Sequence, residues 1–469
     1  MDHAQPETVD VVVIGTGPGG EAAAGELARA GLSVVAIEAA LVGGECPYYG
    51  CIPSKTLIRS ADLLADARSA DGVAGDVTVT PDFSDAYARV AAVTADWDDT
   101  AAVERLENAG ARLVRGTATI TGPGTVSVGD RSWTAQHGIL LDVGTRPTVP
   151  PIDGLADTPY WTNRDLLRSA EAPTSLLVLG GGAIGLELAQ AYARYGVAVT
   201  VVEAAPRLLA HEEPESSELV TRALEADDVD IRTSSKVVEV AHDGERFSVA
   251  LADGTTLGAQ RLLVSSGRTP NTDRLGLESV GVKTSHGYIA TDAHQRVLVD
   301  AERGDEQVVD GLWAIGDVTG QGGFTHVSMY QSDIAVATIL ERGGAGASYR
   351  ALPRVTFTDP EIGAVGLTEA QARDKGLSVL TGTTDLAASS RGATYGPGAA
   401  GVVKVVADAD RQVLVGATSA GPAGGEILGA LTVAIQAEVP IEELRRTIWA
   451  YPTFHRAIGS AIADLSAPE

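Results

Sequence analysis

The sequence predicts an α/β fold in which two βαβ units are followed by a C-terminal α+β domain. An apolar run from Val9 to Ile14 leads into the glycine-rich stretch Gly15 to Gly20, and the same pattern returns from Leu176 to Gly185. Each glycine-rich stretch is followed by a helical segment and a second apolar strand, as in a βαβ unit. From Pro353 onward, strand and helix patterns are mixed without a third glycine fingerprint, which indicates a separate α+β domain.

Both glycine-rich stretches have the spacing of a turn that binds the pyrophosphate of a dinucleotide. Glycines there permit a tight turn and let backbone amides approach phosphates at the positive end of the next helix. Glu38 lies 23 positions after Gly15, and Glu203 lies 23 positions after Gly180, a distance typical of a ribose-binding carboxylate. We therefore expect two Rossmann-like dinucleotide-binding domains. Their turn residues are Gly15, Gly17, Pro18, Gly19 and Gly20 in the first, and Gly180, Gly182, Ile184 and Gly185 in the second.

The segment between the two βαβ units carries simpler patterns. Ala86 to Ala109 is predicted to form one long helix, and short alternating runs between Arg112 and Leu141 indicate a small β-meander. With 469 residues, the chain is longer than one hydrophobic core usually holds, so several domains are expected.

Charge and composition argue against several functional classes. The chain has 62 acidic and 35 basic residues, and the resulting field repels phosphate backbones and anionic lipid surfaces, so no nucleic-acid partner is expected. The first ten residues lack the features of a signal peptide, and the apolar stretch from Ser175 to Val202 is interrupted by Glu187, Gln190 and Arg194. We expect no membrane span and a cytoplasmic location.

The only two cysteines of the chain lie in one hexapeptide, Cys46 to Cys51, which suggests catalysis in a reducing compartment. In a regular helix their Cα atoms would lie roughly 8 to 9 Å apart, whereas a disulfide needs less than about 7 Å. A bridge would require a distorted turn, for which Pro47 and Gly50 are suited, and Pro53 would lie near the start of the following helix. The N-terminus of that helix favours a thiolate. No histidine or further cysteine lies nearby to complete a zinc site, and no metal is expected.

The segment from Gly43 to Lys55, GGECPYYGCIPSK, resembles the active-site signature of the pyridine nucleotide-disulfide oxidoreductases. Dihydrolipoamide dehydrogenase, glutathione reductase and mercuric reductase belong to this family. Segments at Gly267 to Asn271, Ala314 to Asp317 and Phe357 to Gly363 resemble family landmarks in the same order, so the likeness covers nearly the whole chain. It implies a first FAD-binding segment at 1–150, an NAD(P)-binding domain at 151–269, a second FAD/central segment at 270–348 and a dimerisation domain at 349–469.

The resemblance also implies roles for individual residues. The first fingerprint with Glu38 holds the ADP half of FAD, Asp317 binds the ribityl chain, and Thr325 begins a helix that faces the flavin ring. Lys55 and Glu187 form an ion pair beside the flavin N5, where positive charge stabilises electron density on the ring. The second fingerprint with Glu203 holds NADH. The remaining implied contacts are Gly44, Ala118 and Gly144 with FAD, and Val237 and Gly267, together with Glu187, with the nicotinamide nucleotide.

The second fingerprint favours NADH over NADPH. The Glu203 carboxylate repels a 2′-phosphate, although Arg207, four residues later, could soften this preference and leaves NADPH open.

In the implied reaction, hydride passes from NADH to the flavin, and the flavin delivers electrons to Cys51. Cys46 is then the thiol that attacks a disulfide substrate, and Cys51 resolves the mixed disulfide. The family likeness further implies a homodimer in which each C-terminal domain completes the partner's site.

Near its C-terminus the chain departs from the family pattern. Disulfide-exchanging members carry a His-Pro-Thr motif with a glutamate five positions after the histidine. Here Tyr451 replaces the histidine and Arg456 replaces the glutamate. The usual acid/base dyad is therefore absent, and the phenol that replaces the histidine is a poor base at neutral pH. His455 lies four positions after Tyr451, so in a helix the two would be one turn apart and could share the proton transfer; the alternative is a surface role for His455.

Other departures are smaller. Asp142-Val143-Gly144 stands where the family usually has Ala-Thr-Gly, and Ala183 takes a position often held by a tyrosine that gates the nicotinamide. Mercuric reductases also place a tyrosine at the position of Tyr451, but they add a C-terminal cysteine pair, which this sequence does not contain.

Three functional hypotheses follow from the sequence. The first is a disulfide oxidoreductase of the dihydrolipoamide-dehydrogenase type that depends on FAD and NADH and acts on a small-molecule substrate. The second is an NAD(P)H-dependent reductase of a quinone, a metal ion or a specialised small molecule that uses the same flavin and thiols. The third is a flavoprotein subunit of a multienzyme complex.

Overall fold

The computed structural model describes residues 5–71, 73–300, 307–396 and 398–467. Residues 1–4 of the N-terminal segment, where no signal peptide is expected, lie outside the described residues. Within the described part of the chain, no helix is both long and apolar enough to cross a bilayer.

The strands, in chain order, are β1 Glu7–Ile14, β2 Val34–Glu38, β3 Arg112–Arg115, β4 Thr119–Gly122, β5 Thr125–Val128, β6 Arg131–Leu141, β7 Thr145–Pro147, β8 Ser175–Leu179, β9 Ala198–Val202, β10 Asp230–Arg232, β11 Val237–His242, β12 Phe247–Leu251, β13 Thr256–Ala259, β14 Arg261–Val264, β15 Arg268–Pro270, β16 Arg296–Leu298, β17 Val308–Ala314, β18 Pro353–Thr356, β19 Glu361–Gly366, β20 Val379–Asp385, β21 Val402–Asp408 and β22 Val413–Gly421.

The α-helices are α1 Pro18–Arg29, α2 Glu45–Tyr48, α3 Cys51–Ser69, α4 Phe83–Val93, α5 Thr100–Asn108, α6 Asn163–Arg168, α7 Ala183–Arg194, α8 Pro214–Ala226, α9 Thr325–Ile339, α10 Glu369–Asp374, α11 Ser390–Tyr395, α12 Gly424–Gln436, α13 Ile441–Arg446 and α14 Arg456–Ala463. Short 3-10 turns occur at Ala95–Trp97, Leu155–Asp157, Leu277–Val280 and Gly316–Thr319.

The chain divides into two compact units. The first comprises Met1–Pro53, Ala91–Thr148 and Arg268–Ser348, and the second comprises Ser54–Val90, Val149–Gly267 and Tyr349–Glu469.

The first unit is built on a sheet with the strand order β16-β17-β6-β1-β2-β3. The central strand β1 is buried on both faces: Val11 and Val13 pack with α1, α5 and α9, whereas Val12 and Ile14 pack on the side of β4 and β5. Strands β17, β6, β1 and β2 run parallel. Their carboxyl ends therefore meet at one edge of the sheet, where α/β proteins bind ligands.

The second unit contains two separate sheets of different type. A parallel sheet with the order β10-β9-β8-β14 packs against the small antiparallel sheet β11-β12-β13. A five-stranded antiparallel sheet, β18-β19-β22-β21-β20, shares an apolar core with α12 and α14. The predicted fold class, two βαβ units followed by an α+β domain, is confirmed.

The prediction of one long helix from Ala86 to Ala109 is wrong. The segment forms α4 and α5, separated at Ala95, Asp96 and Trp97, which all have positive φ angles. The break has a local cause: the Asp98 carboxylate accepts hydrogen bonds from the amide and hydroxyl of Thr100 and starts a new helix.

The predicted meander between Arg112 and Leu141 is only partly correct. Strands β4, β5 and β6 pair in antiparallel succession, but β3 pairs in parallel with β2 and extends the main sheet. A strand of four residues is too short for its periodicity to show which sheet it joins.

Candidate active site

The first glycine of each fingerprint lies where two backbones approach closely. Gly15 has φ +90°, and a Cβ atom there would lie 2.2 Å from the Asp142 carbonyl oxygen. Gly180 has φ +111°, and its Cβ would lie 2.6 Å from the Ser265 carbonyl oxygen. Only glycine accepts both the backbone angle and the contact, so the two turns share one steric requirement.

The later glycines of the two fingerprints differ in what surrounds them. Gly20 and Gly185 are closely packed, since Cβ atoms there would lie 2.2 and 2.4 Å from the carbonyl oxygens of Gly15 and Gly180. Gly182, by contrast, faces open space, with no atom within 4 Å of a Cβ. The second turn thus leaves room for a phosphate to approach the backbone at the start of α7.

The two carboxylates of the fingerprints are held in the same way. Glu38 accepts hydrogen bonds from the amides of Thr16 at 2.8 Å and Ala40 at 2.7 Å. Glu203 accepts hydrogen bonds from the amides of Gly181 and Ala205, which occupy the corresponding positions, both at 2.6 Å. Each carboxylate is therefore fixed at the carboxyl end of its strand beside the glycine turn, as a ribose ligand requires.

Five further predicted contact residues lie in different settings. In the first unit, Ala118 is buried in the apolar core, and Gly144 precedes β7 with φ +61°. In the second unit, Ile184 lies partly exposed in the first turn of α7, Val237 begins β11, and Gly267 precedes β15 with φ +117°.

The cysteine hexapeptide folds as two helical segments with a break between them. Cys46 lies in α2, which ends at Tyr48, and Cys51 begins α3. The break allows Gly50 to pack back onto α2, so that a Cβ on Gly50 would lie 3.2 Å from the Glu45 carbonyl oxygen and 3.5 Å from the Cys46 Cα. The Trp97 indole donates to the Tyr48 carbonyl oxygen at 2.9 Å and supports the end of α2.

Cys51 lies beside the start of a second helix. Its Sγ atom is 3.6 Å from the Thr325 Oγ1, and Thr325 is the first residue of α9. Cys51 also begins α3, so this sulfur belongs to the first residue of one helix and lies beside the first residue of another. Partial positive charge at helix N-termini favours thiolates in general.

Asp317, the predicted ribityl ligand, belongs to a polar cluster at the carboxyl edge of the first sheet. Its carboxylate accepts from the Thr145 hydroxyl at 2.7 Å. Arg268 donates to that hydroxyl and to the Thr145 carbonyl oxygen, and its guanidinium lies 3.8 Å from both Asp317 and Glu45. This arginine of the Gly267 to Asn271 landmark therefore orients Asp317.

Lys55 and Glu187 form the predicted ion pair, with a distance of 2.7 Å between Nζ and Oε2. The other oxygen of Glu187 accepts from the Phe357 amide at 2.8 Å, and the Phe357 ring lies 4.8 Å from the Lys55 ammonium. The Glu187 side chain is 5% exposed, so this carboxylate is buried with both oxygens hydrogen-bonded.

Asp142, at a position where the family usually has alanine, is buried. Its Oδ2 accepts from the Gly20 amide at 2.7 Å, at the start of α1. Burial raises the pKa of Asp142 well above its ordinary value, and the nearby Asp317 and Glu38 charges raise it further. The carboxyl group fills the space beside Gly17, where a Cβ would lie 2.8 Å from it.

The expected helical turn between Tyr451 and His455 is wrong. Tyr451 lies in a turn before α14, and His455 is only the capping residue of that helix. Pro452 explains the difference, because a proline disfavours helical geometry in the residue that precedes it. The Arg456 guanidinium instead lies 5.6 Å from the centre of the Tyr451 ring, so the two residues that replace the family dyad contact each other.

Comparisons with known proteins agree with these features. The family described as pyridine nucleotide-disulphide oxidoreductase matches residues 9–332, and its dimerisation domain matches residues 352–462. The chain belongs to the pyridine nucleotide-disulfide oxidoreductase family. A dihydrolipoyl dehydrogenase of Thermus scotoductus is 35% identical over 98% of both chains, and a mercuric reductase of Streptomyces lividans is 33% identical over 96% of this chain and 94% of its own length.

Solved structures of the family extend the likeness to the whole fold. The HOCl-induced flavoprotein disulfide reductase RclA from Escherichia coli is 28% identical with a TM-score of 0.83, and its Cu(II) complex has a TM-score of 0.84. LpdA from Mycobacterium tuberculosis is 26% identical with a TM-score of 0.84. All three cover 97% of this chain and 99% of their own. The chain is an FAD-dependent disulfide oxidoreductase, and the expectation of FAD and a nicotinamide nucleotide as cofactors is confirmed.

Sequence reasoning gave no role to three residues that lie on the same helix face as Glu187 or contact it. Gln190 and Arg194 counted only as interruptions of an apolar stretch, and Phe357 only as part of a landmark. A signal was nevertheless present: Glu187, Gln190 and Arg194 are spaced three and four residues apart, which places them on one face of a helix.

The open space at Gly182 gives a test of the nucleotide site. Gly182→Ala is expected to leave the thermal unfolding midpoint close to that of the wild type but to raise the KM for NADH about tenfold or more, because the methyl group occupies the space for the pyrophosphate. Gly185→Ala is the matched control and should lower the unfolding midpoint, because its Cβ meets backbone at 2.4 Å. An unchanged KM in Gly182→Ala would contradict the assignment.

Proposed function

We propose that the enzyme transfers reducing equivalents from NADH through a Cys46–Cys51 redox pair to a disulfide substrate, as a homodimer assembled through its dimerisation domain. The observation that carries this proposal is the position of the Cys51 sulfur, 3.6 Å from the Thr325 hydroxyl at the start of α9. FAD supplies the redox chemistry that couples a two-electron donor to a thiol pair.

The roles of the two cysteines follow from their settings. Two helix N-termini stabilise the Cys51 thiolate, which suits the sulfur that exchanges electrons with the flavin. Cys46 lies across the Gly50 turn and is the sulfur that attacks the substrate. Attack forms a mixed disulfide with Cys46 and releases the first substrate thiolate; attack by Cys51 on Cys46 then releases the second and forms the intramolecular disulfide. The cytoplasmic location stays a prediction from the sequence.

An anaerobic titration with NADH tests the use of the cysteine pair. Two-electron reduction of the wild type should produce a long-wavelength absorbance band from charge transfer between the Cys51 thiolate and the flavin. Cys51→Ser removes the donor sulfur and should abolish the band, whereas the matched Cys46→Ser variant retains Cys51 and should keep it. Plain bleaching of the wild-type flavin, without a band, would refute the thiol mechanism.

The structure supports NADH as the donor. The Arg207 guanidinium, which could have balanced a 2′-phosphate, donates to the carbonyl oxygens of Leu209 at 3.0 Å, Ala210 at 2.8 Å and Glu212 at 2.7 Å. It is therefore held by its own loop. This contact favours Glu203, rather than Arg207, as the residue that selects between the two nucleotides.

Glu203→Ala tests this preference. Removing the carboxylate should raise kcat/KM for NADPH and lower it for NADH, because the repulsion of the 2′-phosphate and the ribose hydrogen bonds are lost together. The ratio of the two values is expected to shift by about tenfold to a hundredfold toward NADPH. Arg207→Ala is the control and should leave the ratio unchanged; a ratio that responds to Arg207 alone would assign the selectivity to that residue instead.

A second candidate function concerns the electron acceptor. Tyr451 is 67% exposed and contacts Arg456, so neither residue reproduces a histidine held by a glutamate. The matched relatives include a mercuric reductase, and the matched structures include a Cu(II) complex of RclA. A metal ion or a quinone, which needs no acid to protonate a leaving thiolate, is therefore the alternative acceptor to a disulfide.

A steady-state panel separates these acceptors. Lipoamide, small disulfides, a quinone, Cu(II) and mercuric ion are compared in the wild type, Tyr451→Phe and His455→Ala. If a disulfide is the substrate and Tyr451 is its acid, Tyr451→Phe should lower disulfide turnover about a hundredfold while the other acceptors are unaffected. Restoring the family residues with Tyr451→His and Arg456→Glu should then increase lipoamide turnover. Disulfide turnover that neither single variant changes would reject both acid/base candidates.

A further inference from the structure

Helix α7 carries a buried polar stripe on an otherwise apolar helix. Glu187, Gln190 and Arg194 are 4%, 3% and 4% exposed and lie on one face, three and four residues apart. Burying a carboxylate and a guanidinium is costly unless both are paired, so the partners of this stripe must be held in place.

One set of partners is the loop that follows β18. The Phe357 amide donates to Glu187 at 2.8 Å. The Asp359 amide donates to Gln190, and the Gln190 side chain returns a hydrogen bond to the Asp359 carbonyl oxygen, both at 2.8 Å. The Asp359 carboxylate then accepts from Arg194 at 2.7 Å. The stripe thus contacts this loop at three successive points.

The other set of partners lies on α3, the helix that Cys51 begins. Lys55 pairs with Glu187 at 2.7 Å, and Asp62 pairs with Arg194 at 2.6 Å. The two residues on each helix are seven positions apart, about two helical turns. The charges are reversed between the pairs, so a slip of two turns would place Lys55 against Arg194. Together the pairs fix one register of α3 on α7.

We propose that Asp62 and Arg194 are positioning residues that hold α3 in the register at which Lys55 meets Glu187 and Cys51 meets the flavin. This proposal rests on the proposed function for the role of Lys55 and Cys51. Asp62 lies seven residues beyond Lys55 and acts only through the helix. Arg194 is suited to the task because its fork also binds Asp227 at 3.0 Å and so remains fixed when one partner changes.

The charges around Asp62 make its contribution depend on pH. Burial raises the pKa of Asp62 to about 7, against the attraction of Arg194; Asp359 and Asp66 raise it and Arg59 lowers it. Below that pH, Asp62 is protonated and its ion pair with Arg194 is lost. The ion pair between Asp62 and Arg194 therefore holds α3 on α7 above neutral pH and is weakened below it.

The experiment compares Asp62→Asn with Asp66→Asn in the full-length enzyme with FAD bound. Asp66 is the matched control, because it lies one turn further on α3, is 65% exposed, and faces Arg59 at 3.4 Å in solvent. The measurements are FAD content, the thermal unfolding midpoint, the charge-transfer band after two-electron reduction, and the single-turnover rate of flavin reduction by NADH, each at pH 6 and pH 8.

At pH 8, Asp62→Asn is expected to weaken the charge-transfer band and to slow flavin reduction about tenfold, as a small displacement of positioned groups does. At pH 6, the wild type and Asp62→Asn should become alike, and Asp66→Asn should match the wild type at pH 8, where Asp62 is ionised in both. If Asp62→Asn fails to retain FAD, Asp62→Glu, which keeps the carboxylate, should restore both FAD and the band at pH 8.

Two results would overturn the positioning role: wild-type behaviour of Asp62→Asn at pH 8, or equal defects in the Asn and Glu variants. An equal loss at both pH values would refute the pH dependence of the Asp62 contribution. Absence of the band in the wild type itself would instead refute the proposed function.

Discussion

The buried Glu187 carboxylate is the charge on which the arrangement of the second unit depends. One of its oxygens accepts from Lys55 and the other from the Phe357 amide, so helix α3, helix α7 and the loop after β18 meet at a single side chain. A buried carboxylate that loses one of these partners is destabilised by several kcal/mol. The three elements are consequently fixed together. Lys55, which the family resemblance places beside the flavin, is held by this buried carboxylate.

A different constraint, close approach of two backbones, governs both glycine-rich turns. Gly15 and Gly180 each lie against a carbonyl oxygen at the end of a neighbouring parallel strand, and Glu38 and Glu203 are bound by equivalent amides. Both glycine-rich turns therefore have the same strand-turn-helix arrangement. The sites differ where Asp142 fills the space beside Gly17, whereas Gly182 faces open space. Asp142 forms a hydrogen bond to the start of α1, so the first turn is tied more tightly to its sheet.

The residues predicted for the donor side and the residues that replace the family dyad differ in how deeply they are buried. Of the carboxylates predicted for the donor side, Glu38 and Glu187 are buried, and several fingerprint glycines are closely packed against backbone. In the single chain, Tyr451 and Arg456, which replace the family dyad, are exposed, and the guanidinium lies over the ring. Within one chain, substitutions at these two positions are therefore expected to cost little folding stability.

The sequence by itself determined the two βαβ units, their glycine turns and carboxylates, and the cysteine pair, because local steric rules and spacing along the chain set these features. The pair of Lys55 and Glu187, which lie 132 positions apart, was implied only by the resemblance to the family. It did not reveal the break at Ala95 to Trp97, the turn that removes Tyr451 from the helix of His455, or the Asp62, Gln190 and Arg194 contacts. The first two have local causes, the Asp98 hydrogen bonds and Pro452, which periodicity does not show. Only the tertiary structure decided the Asp62, Gln190 and Arg194 contacts, because they join residues far apart in sequence: Asp62 and Arg194 meet across 132 positions, and the pair depends on burial, which periodicity cannot measure.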